Sequence, residues 1–306
     1  MRSRIQLIKN ILPKITAMLI AVVLWVGFKT KNNDTPYEVE IKKWHQSRID
    51  KLKTENGWLN LAGLFWLDEG VNTFGGNTEN KIIFPKGTSD DFLGEITLKN
   101  GEVYFKNTKN VKILNNNNPV NEIRLYPYQV NGKPTILEHK TLKLFIIKRG
   151  DKFAIRLRDL ESPILKNFTG IETFKIDSSY KIQAKFIPTA GKKIAILDVT
   201  GQVSQQDSPG TLVFRLHGKE HHLDALAEGD ELFIIFGDKT NKKETYGAGR
   251  FLYAQKPDNQ GNVTLDFNKA TNPPCAFTPY ATCPLPPKQN QLSVEVKAGE
   301  KNYGHH

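Results

Sequence analysis

The stretch that decides the fold is Tyr246–Glu300, which reads YGAGRFLYAQKPDNQGNVTLDFNKATNPPCAFTPYATCPLPPKQNQLSVEVKAGE. Residues 249–254 and 262–267 are two strand-like runs, and residues 256–261 between them are rich in turn-forming side chains. This pattern predicts a β-hairpin. Residues 268–290, here called the proline-rich loop, follow without helix or strand periodicity. A long loop of this kind is more often functional than accidental.

The rest of the chain has the alternating strand-and-turn pattern of an antiparallel β protein. Residues 93–98 and 102–105 are joined through an Asn-Gly turn, which is the strongest short signal for a hairpin. Short strands separated by turn residues recur from residue 174 to residue 236. Residues 37–54 carry apolar side chains at approximately helical spacing.

We therefore predict an all-β fold with a short N-terminal helix. An antiparallel β-sandwich over residues 37–170 packs against a second small β-sandwich or barrel over residues 171–303. The two halves are expected to form one continuous unit over residues 37–303.

Several segments of the chain resemble a known family. They are residues 57–59, 63–67, 245–252, 265–270, 272–280 and 283–287, together with Asn290. These segments resemble the DUF1684 family of bacterial and archaeal proteins, and the likeness spans roughly Trp44 to Tyr303. Because the function of that family is unknown, the resemblance implies an identity and a boundary but no catalytic residue.

The N-terminal half is also faintly similar to a forkhead-associated β-sandwich. The similarity rests on a glycine-bearing segment at residues 74–77, on the run 80–85 and on the hairpin that follows. Such domains bind phosphothreonine through an arginine and a serine near the entry loops. Gly76 and Asn77 stand where the arginine is expected, so the resemblance implies the sandwich without the phosphopeptide function.

The first 34 residues have the composition of a targeting segment. Basic residues lie on both sides of the apolar run 15–28, as in a secretory signal or an N-terminal anchor. No small-x-small cleavage pattern follows Phe28, which favours an uncleaved membrane anchor with its positive end inside. A cleaved signal and a buried core helix are the alternatives. The membrane is then a partner through residues 1–34, and the globular part lies outside the cytoplasm, in the periplasm or cell envelope.

The net charge does not indicate a nucleic-acid protein. The chain carries a formal charge of +11 and a pI near 9.4, but its basic residues are spread along the chain and lysine dominates over arginine. We predict no nucleic-acid partner.

The two cysteines, Cys275 and Cys283, both lie in the proline-rich loop. In an oxidising compartment they can form a disulfide that closes the loop. Buried free thiols are a second interpretation, and a redox or metal pair is a third. The last is disfavoured because the spacing is wider than C-x-x-C and no histidine lies nearby.

A set of polar residues lies in or beside the predicted hairpin and loop: Asp238, Glu244, Tyr246, Arg250, Asp266, Asn268, Asn272 and Tyr280. One interpretation is a binding site for a small anionic ligand, with Arg250 as the anion contact, Tyr280 as a wall, and Tyr246, Asn268 and Asn272 contributing. The other is a buried polar network that ties Arg250 to Asp266 or Asp238.

The sequence contains no motif of a nucleophilic, metal-dependent or nucleotide-dependent enzyme, so we predict no cofactor and no metal. The favoured function is binding of a small or anionic ligand at residues 246–290. The alternative is a hydrolase that uses Asp238, Glu244 or Asp266 as its acid or base. A third possibility is an envelope scaffold without a pocket.

Overall fold

A computed structural model describes residues 34–108, 111–128 and 134–304. The predicted anchor, residues 1–34, therefore lies outside the described residues except for Asp34. Among the described residues, no helix is long and apolar enough to cross a membrane.

Strands and one long helix make up the N-terminal half. The elements are α1 (Pro36–Lys53), β1 (Leu61–Trp66), β2 (Gly70–Gly75), β3 (Ile82–Ile83), β4 (Gly94–Lys99), β5 (Glu102–Lys106), β6 (Leu114–Asn115), β7 (Asn118–Pro119), β8 (Glu122–Arg124), β9 (Ile136–His139), β10 (Leu142–Arg149) and β11 (Lys152–Asp159).

A four-residue helix ends the N-terminal half, and strands make up the C-terminal half. The elements are α2 (Pro163–Lys166), β12 (Lys181–Pro188), β13 (Lys193–Leu197), β14 (Val203–Asp207), β15 (Gly210–Leu216), β16 (Lys219–Glu228), β17 (Glu231–Phe236), β18 (Arg250–Gln255) and β19 (Asn262–Asp266). Short 3₁₀ helices occupy Ser178–Tyr180, Phe267–Lys269, Pro274–Ala276 and Lys288–Asn290.

Two sheets form a sandwich in the N-terminal half. Their strand orders are β1-β11-β10-β9-β6-β7 and β3-β2-β4-β5-β8. Phe74, Phe84 and Phe105 are buried together in the core between these strands. The core forms because alternate residues of each strand point to the same face of the sheet.

β11 is buried on both of its faces. Phe153, Ile155 and Leu157 belong to the sandwich core, whereas the intervening residue Ala154 packs in a separate apolar cluster. Alternation places Arg156 and Arg158 on the same outer face as Ala154. Both arginines are nevertheless buried.

The C-terminal half is a six-stranded sheet in the order β18-β17-β16-β15-β12-β19, with the hairpin β13-β14 beside it. Its end strands, β18 and β19, contact each other, so the sheet curls towards a barrel around an apolar core. The prediction of an all-β fold with a sandwich and a second small β unit is confirmed.

One local prediction about this half is wrong. The predicted hairpin pairs residues 249–254 with residues 262–267, but β18 pairs with β17 and β19 pairs with β12. The two runs are consecutive in the chain and lie at opposite ends of the curled sheet. Both still contribute buried residues to the same core, which is why each has a strand pattern.

Candidate ligand-binding region

Arg250, the first residue of β18, is completely enclosed, with an exposed fraction of 0%. Its Nη2 donates to Oδ2 of Asp238 at 2.9 Å and to the carbonyl oxygen of Val296 at 2.8 Å. Its Nη1 donates to the carbonyl oxygens of Ala298 at 2.5 Å and Glu300 at 3.3 Å. Burial lowers the pKa of Arg250, and the charge of Asp238 opposes that shift. The guanidinium therefore joins β18 to the C-terminal segment.

Asp238 completes this network from the other side. Its Oδ1 accepts hydrogen bonds from the backbone and hydroxyl of Thr240, at 2.8 and 2.6 Å, and from the backbone of Val296 at 3.2 Å. The expectation that Arg250 contacts an anionic ligand is thus corrected in this structure, because its Nη1 and Nη2 already donate to protein oxygens and no part of its side chain reaches solvent. The second interpretation, a buried network that includes Asp238, describes the site.

Asp266 and Asn268 hold the start of the proline-rich loop. Oδ1 of Asp266 accepts from the backbone of Asn268 at 3.1 Å and caps the short helix Phe267–Lys269. The Asn268 amide exchanges two hydrogen bonds with the backbone of Asp177, at 2.8 and 3.1 Å. Both side chains are buried, so their roles in this geometry are structural.

Asn272 lies in a second buried polar cluster, which sequence reasoning missed. The backbone of Asn272 donates to Oε2 of Glu300 at 2.6 Å, and its side chain donates to the carbonyl of Lys301 at 2.7 Å. Arg48 of α1 pairs with Oε1 of Glu300 at 3.3 Å and donates to the carbonyl of Asn272 at 3.1 Å. Burial raises the pKa of Glu300, although Arg48 opposes the shift.

The two tyrosines predicted to contact a ligand lie in different apolar clusters. Tyr246 packs on the cluster that contains Leu52 and Phe277, and burial raises its pKa. Tyr280 packs on the cluster that contains Phe233. The structure therefore does not bring them together as two walls of one pocket.

The carboxylates of the hydrolase alternative occupy unlike environments. Asp238 is enclosed and paired with Arg250, whereas the half-buried Glu244 forms an ion pair with Lys297 at 3.1 Å. Asp266 is buried and caps a helix. A general acid and base need two carboxylates that face one reacting group, and these three carboxylates have separate structural roles.

The middle of the proline-rich loop is closed by a disulfide between Cys275 and Cys283. The loop packs closely on β17 and β18 at Gly249, whose φ is +90°. A Cβ added there would lie 2.5 Å from Pro286 and 2.6 Å from the carbonyl oxygen of Phe236, so only glycine fits at this contact.

A cavity of about 670 Å³ lies beside this loop. Thr282 and Pro284 of the loop form one wall, Arg149 at the β10–β11 turn forms another, and Phe233 and Ile235 of β17 contribute apolar surface. The size falls within the range of small-molecule sites. Residues of the hairpin β13-β14 complete the lining, and Asp198, Gln202, Ser204 and Gln206 supply polar groups from that side.

Arg149 is the cationic residue that the loop itself positions. Its Nε donates to the hydroxyl of Thr282 at 3.2 Å, and its Nη1 donates to the carbonyl of Lys148 at 2.9 Å. Burial lowers the pKa of Arg149, and Asp198 opposes that shift. Nothing in the pattern around Arg149 distinguishes it, in sequence, from other arginines at strand ends.

Within the described residues, no group of three or more His, Cys, Asp or Glu side chains is arranged to hold a metal ion. The histidines of β16 and its preceding turn, His217, His221 and His222, form no such group.

These features define an all-β protein in which a disulfide-closed, proline-rich loop borders a cavity. The family described as "Protein of unknown function (DUF1684)" matches residues 166–301, and the chain belongs to this family. The match covers the C-terminal half, including the whole proline-rich loop.

Similar solved structures include an uncharacterized protein from Haloarcula marismortui. It is 30% identical over 46% of this chain and 80% of its own chain, with a TM-score of 0.39. The FhaA FHA domain complexed with the intracellular domain of Rv3910 is 17% identical over 31% of this chain and 97% of its own, with a TM-score of 0.21. A second FHA structure, of Rv0020c, is 16% identical over 31% of this chain and 88% of its own chain, with a TM-score of 0.22. No curated protein matches the chain.

Proposed function

We propose that this is an exported, membrane-tethered protein that binds a small anionic ligand beside its proline-rich loop. The observation that carries the proposal is the cavity of about 670 Å³ whose wall includes Thr282, Pro284 and Arg149. Of the region predicted from sequence, residues 246–290, only Thr282 and Pro284 line this cavity, and none of the residues predicted to bind a ligand does. The cation that meets the ligand in this proposal is Arg149 in place of Arg250.

The lining of the cavity supports a small polar ligand with an anionic group. Arg149 and Lys148 supply positive charge, and Phe233 supplies an aromatic wall. A guanidinium held in place by Thr282 is pre-organised to bind a carboxylate or phosphate with little further loss of side-chain entropy. Asp198 and Glu228 lie in the same lining and would exclude ligands with a high negative charge.

A thermal-shift screen of the full chain in a non-ionic detergent tests this proposal. Small metabolites and cell-envelope fragments that carry one carboxylate or phosphate are the probes. A ligand present at one hundred times its Kd stabilises by about 2.7 kcal/mol, which is a readily visible shift. We expect Arg149→Met to abolish the shift.

Arg215→Met is the matched control, because Arg215 is exposed and donates only to the carbonyl of its own turn residue Gly218 in the contacts described. A ligand whose shift survives Arg149→Met would place its site elsewhere. If no compound shifts the wild type, the scaffold alternative replaces the ligand-binding proposal.

The tether is supported by the basic and apolar pattern of residues 1–34 and by a disulfide, which persists in oxidising compartments. We expect the full chain to sediment with membranes and to be digested by protease added outside the inner membrane. Deleting residues 1–34 should leave the protein in the cytosolic fraction. Protection of the full chain from external protease would contradict this topology.

A further inference from the structure

Arg156 lies at the centre of the outer face of β11, on the side away from the sandwich core. Its register partners are Leu64 on β1 and Phe145 on β10. Only 5% of its surface is exposed. Since strands lie on both sides of it, Arg156 cannot turn sideways into solvent as an arginine on an edge strand can.

The guanidinium of Arg156 lacks the partners that a buried cation requires. Its Nε and Nη2 are enclosed, and no described residue accepts a hydrogen bond from either atom. The described chain also provides no carboxylate within ion-pair distance of Arg156. Buried charges in proteins are almost always paired, because desolvation without a partner strongly destabilises the folded state.

Two further arginines, Arg149 and Arg158, are the charges that act on Arg156. Burial and these two cations lower the pKa of Arg156 to about 10, so it remains charged at neutral pH. Each neighbour has hydrogen bonds of its own: Arg149 donates to Thr282, and Arg158 donates to the carbonyl of Gly57 and, at 2.6 Å, to Oδ1 of Asn60. Arg156 therefore lies in a positive field with its Nε and Nη2 unused.

The same outer face carries an apolar cluster. Phe145, Ile147 and Ala154 are buried there, with Leu64 and Ile136 packed against them. The guanidinium of Arg158 lies over the ring of Phe145, 5.8 Å from its centroid. The enclosed donors of Arg156 thus lie next to aliphatic and aromatic side chains that are themselves buried, so a ligand reaches them only when this face opens locally.

We infer that Arg156 binds the oxyanion group of a small organic ligand, a carboxylate or a phosphate whose organic part is apolar. The two unused donors, Nε and Nη2, match the two oxygens of such a group in a bidentate pair. The apolar part packs on the side of Phe145 and Ile147. An oxyanion would supply the counter-charge and the hydrogen-bond acceptors that the described protein does not provide for Arg156.

This site goes beyond the cavity of the proposed function. Arg156 is not part of the lining of that cavity, whereas its neighbour Arg149 is. Arg149→Met and Arg156→Met therefore distinguish the two sites, and either site can fail its test while the other passes.

The test compares the full wild-type chain with Arg156→Met in non-ionic detergent, at constant ionic strength set with sodium chloride. The probes are benzoate, acetate and inorganic phosphate. Benzoate should raise the Tm of the wild type more than acetate does, because it adds an apolar body to the same carboxylate. We expect Arg156→Met to weaken benzoate binding by about tenfold or more.

The chloride buffer alone gives a second readout, because it contains no oxyanion. There, Arg156→Met should melt at a higher temperature than the wild type, since it removes an unpaired buried charge. Arg124→Met is the control: Arg124 is 42% exposed and paired with Glu102 at 2.6 Å, so its removal should leave the benzoate shift unchanged.

Three results would overturn the inference. One is a lower Tm for Arg156→Met than for the wild type in chloride, which would give Arg156 a structural role. Another is an equal rise with oxyanions in both proteins, which would be a general salt effect. The third is no rise in the wild type with any of the three anions. A rise with phosphate alone would support the oxyanion site but overturn its apolar part.

Discussion

Arg250 and Arg156 are buried in different halves of this molecule, and their surroundings differ. Arg250, in the C-terminal half, donates through Nη1 and Nη2 to a carboxylate and to three carbonyl oxygens, and only its enclosed Nε lacks a described partner. Arg156, in the N-terminal sandwich, has two enclosed donors without a partner among the described residues, and two other arginines act on its charge. Burial alone therefore does not give a charged residue its role. Its hydrogen-bond and charge partners decide whether the residue stabilises the fold or is available to bind a ligand.

The largest effect is expected for Arg250→Met. It leaves Asp238 buried without its counter-charge and removes donors from three carbonyls, so the free energy of unfolding should fall by about 3–5 kcal/mol. Urea denaturation of the full chain in detergent measures this. The double variant Asp238→Asn/Arg250→Met should recover part of the loss, because it leaves no uncompensated charge. A loss under about 1 kcal/mol for the single variant would remove Arg250 from its structural role.

A smaller, pH-dependent effect is expected for Arg48→Met. Burial holds the pKa of Glu300 in the folded state above its ordinary value of 4.5. Glu300 therefore stabilises the folded state below its ordinary pKa, and this stabilisation is lost as the pH rises through the folded-state pKa. Removing Arg48 raises the folded pKa further. The loss of stability should therefore be small in acid and grow to about 2 kcal/mol at neutral pH.

Melting temperatures from about pH 4 to pH 8 check this prediction. In Arg48→Met/Glu300→Gln, which has no ionisable group at position 300, the deficit should no longer grow with pH. A deficit in Arg48→Met that is the same at every pH would mean that Arg48 acts by packing on Phe277, over which it lies at 5.9 Å, and not through Glu300.

Much of the fold follows from local pattern. Alternating runs and turn residues predict an all-β chain in two parts, and the structure has a sandwich and a curled six-stranded sheet. The pairing of residues 249–254 with 262–267 was wrong because alternation reports burial of one face and not the identity of the neighbouring strand. Closure of the sheet decides the pairing, and closure depends on residues far away in the chain.

The site is less accessible to sequence reasoning. Arg250 stood out as a charge in an apolar run, and a buried network was one of its two interpretations; only the structure shows that Asp238 is its partner. Arg156 did not stand out, because β11 reads as a strand whose arginines face solvent. Whether that face of the strand is covered depends on tertiary packing, which the local sequence does not reveal. Glu300 and Arg48, which are 252 residues apart, give no local signal either.

The most direct test of this account measures the free energies of unfolding of Arg250→Met and Arg156→Met against the wild type, in a chloride buffer without oxyanions. We expect opposite signs: Arg250→Met should lose about 3–5 kcal/mol, and Arg156→Met should gain about 1 kcal/mol. Similar losses in both variants would contradict the account, because they would show that Arg156 is held by the protein as Arg250 is.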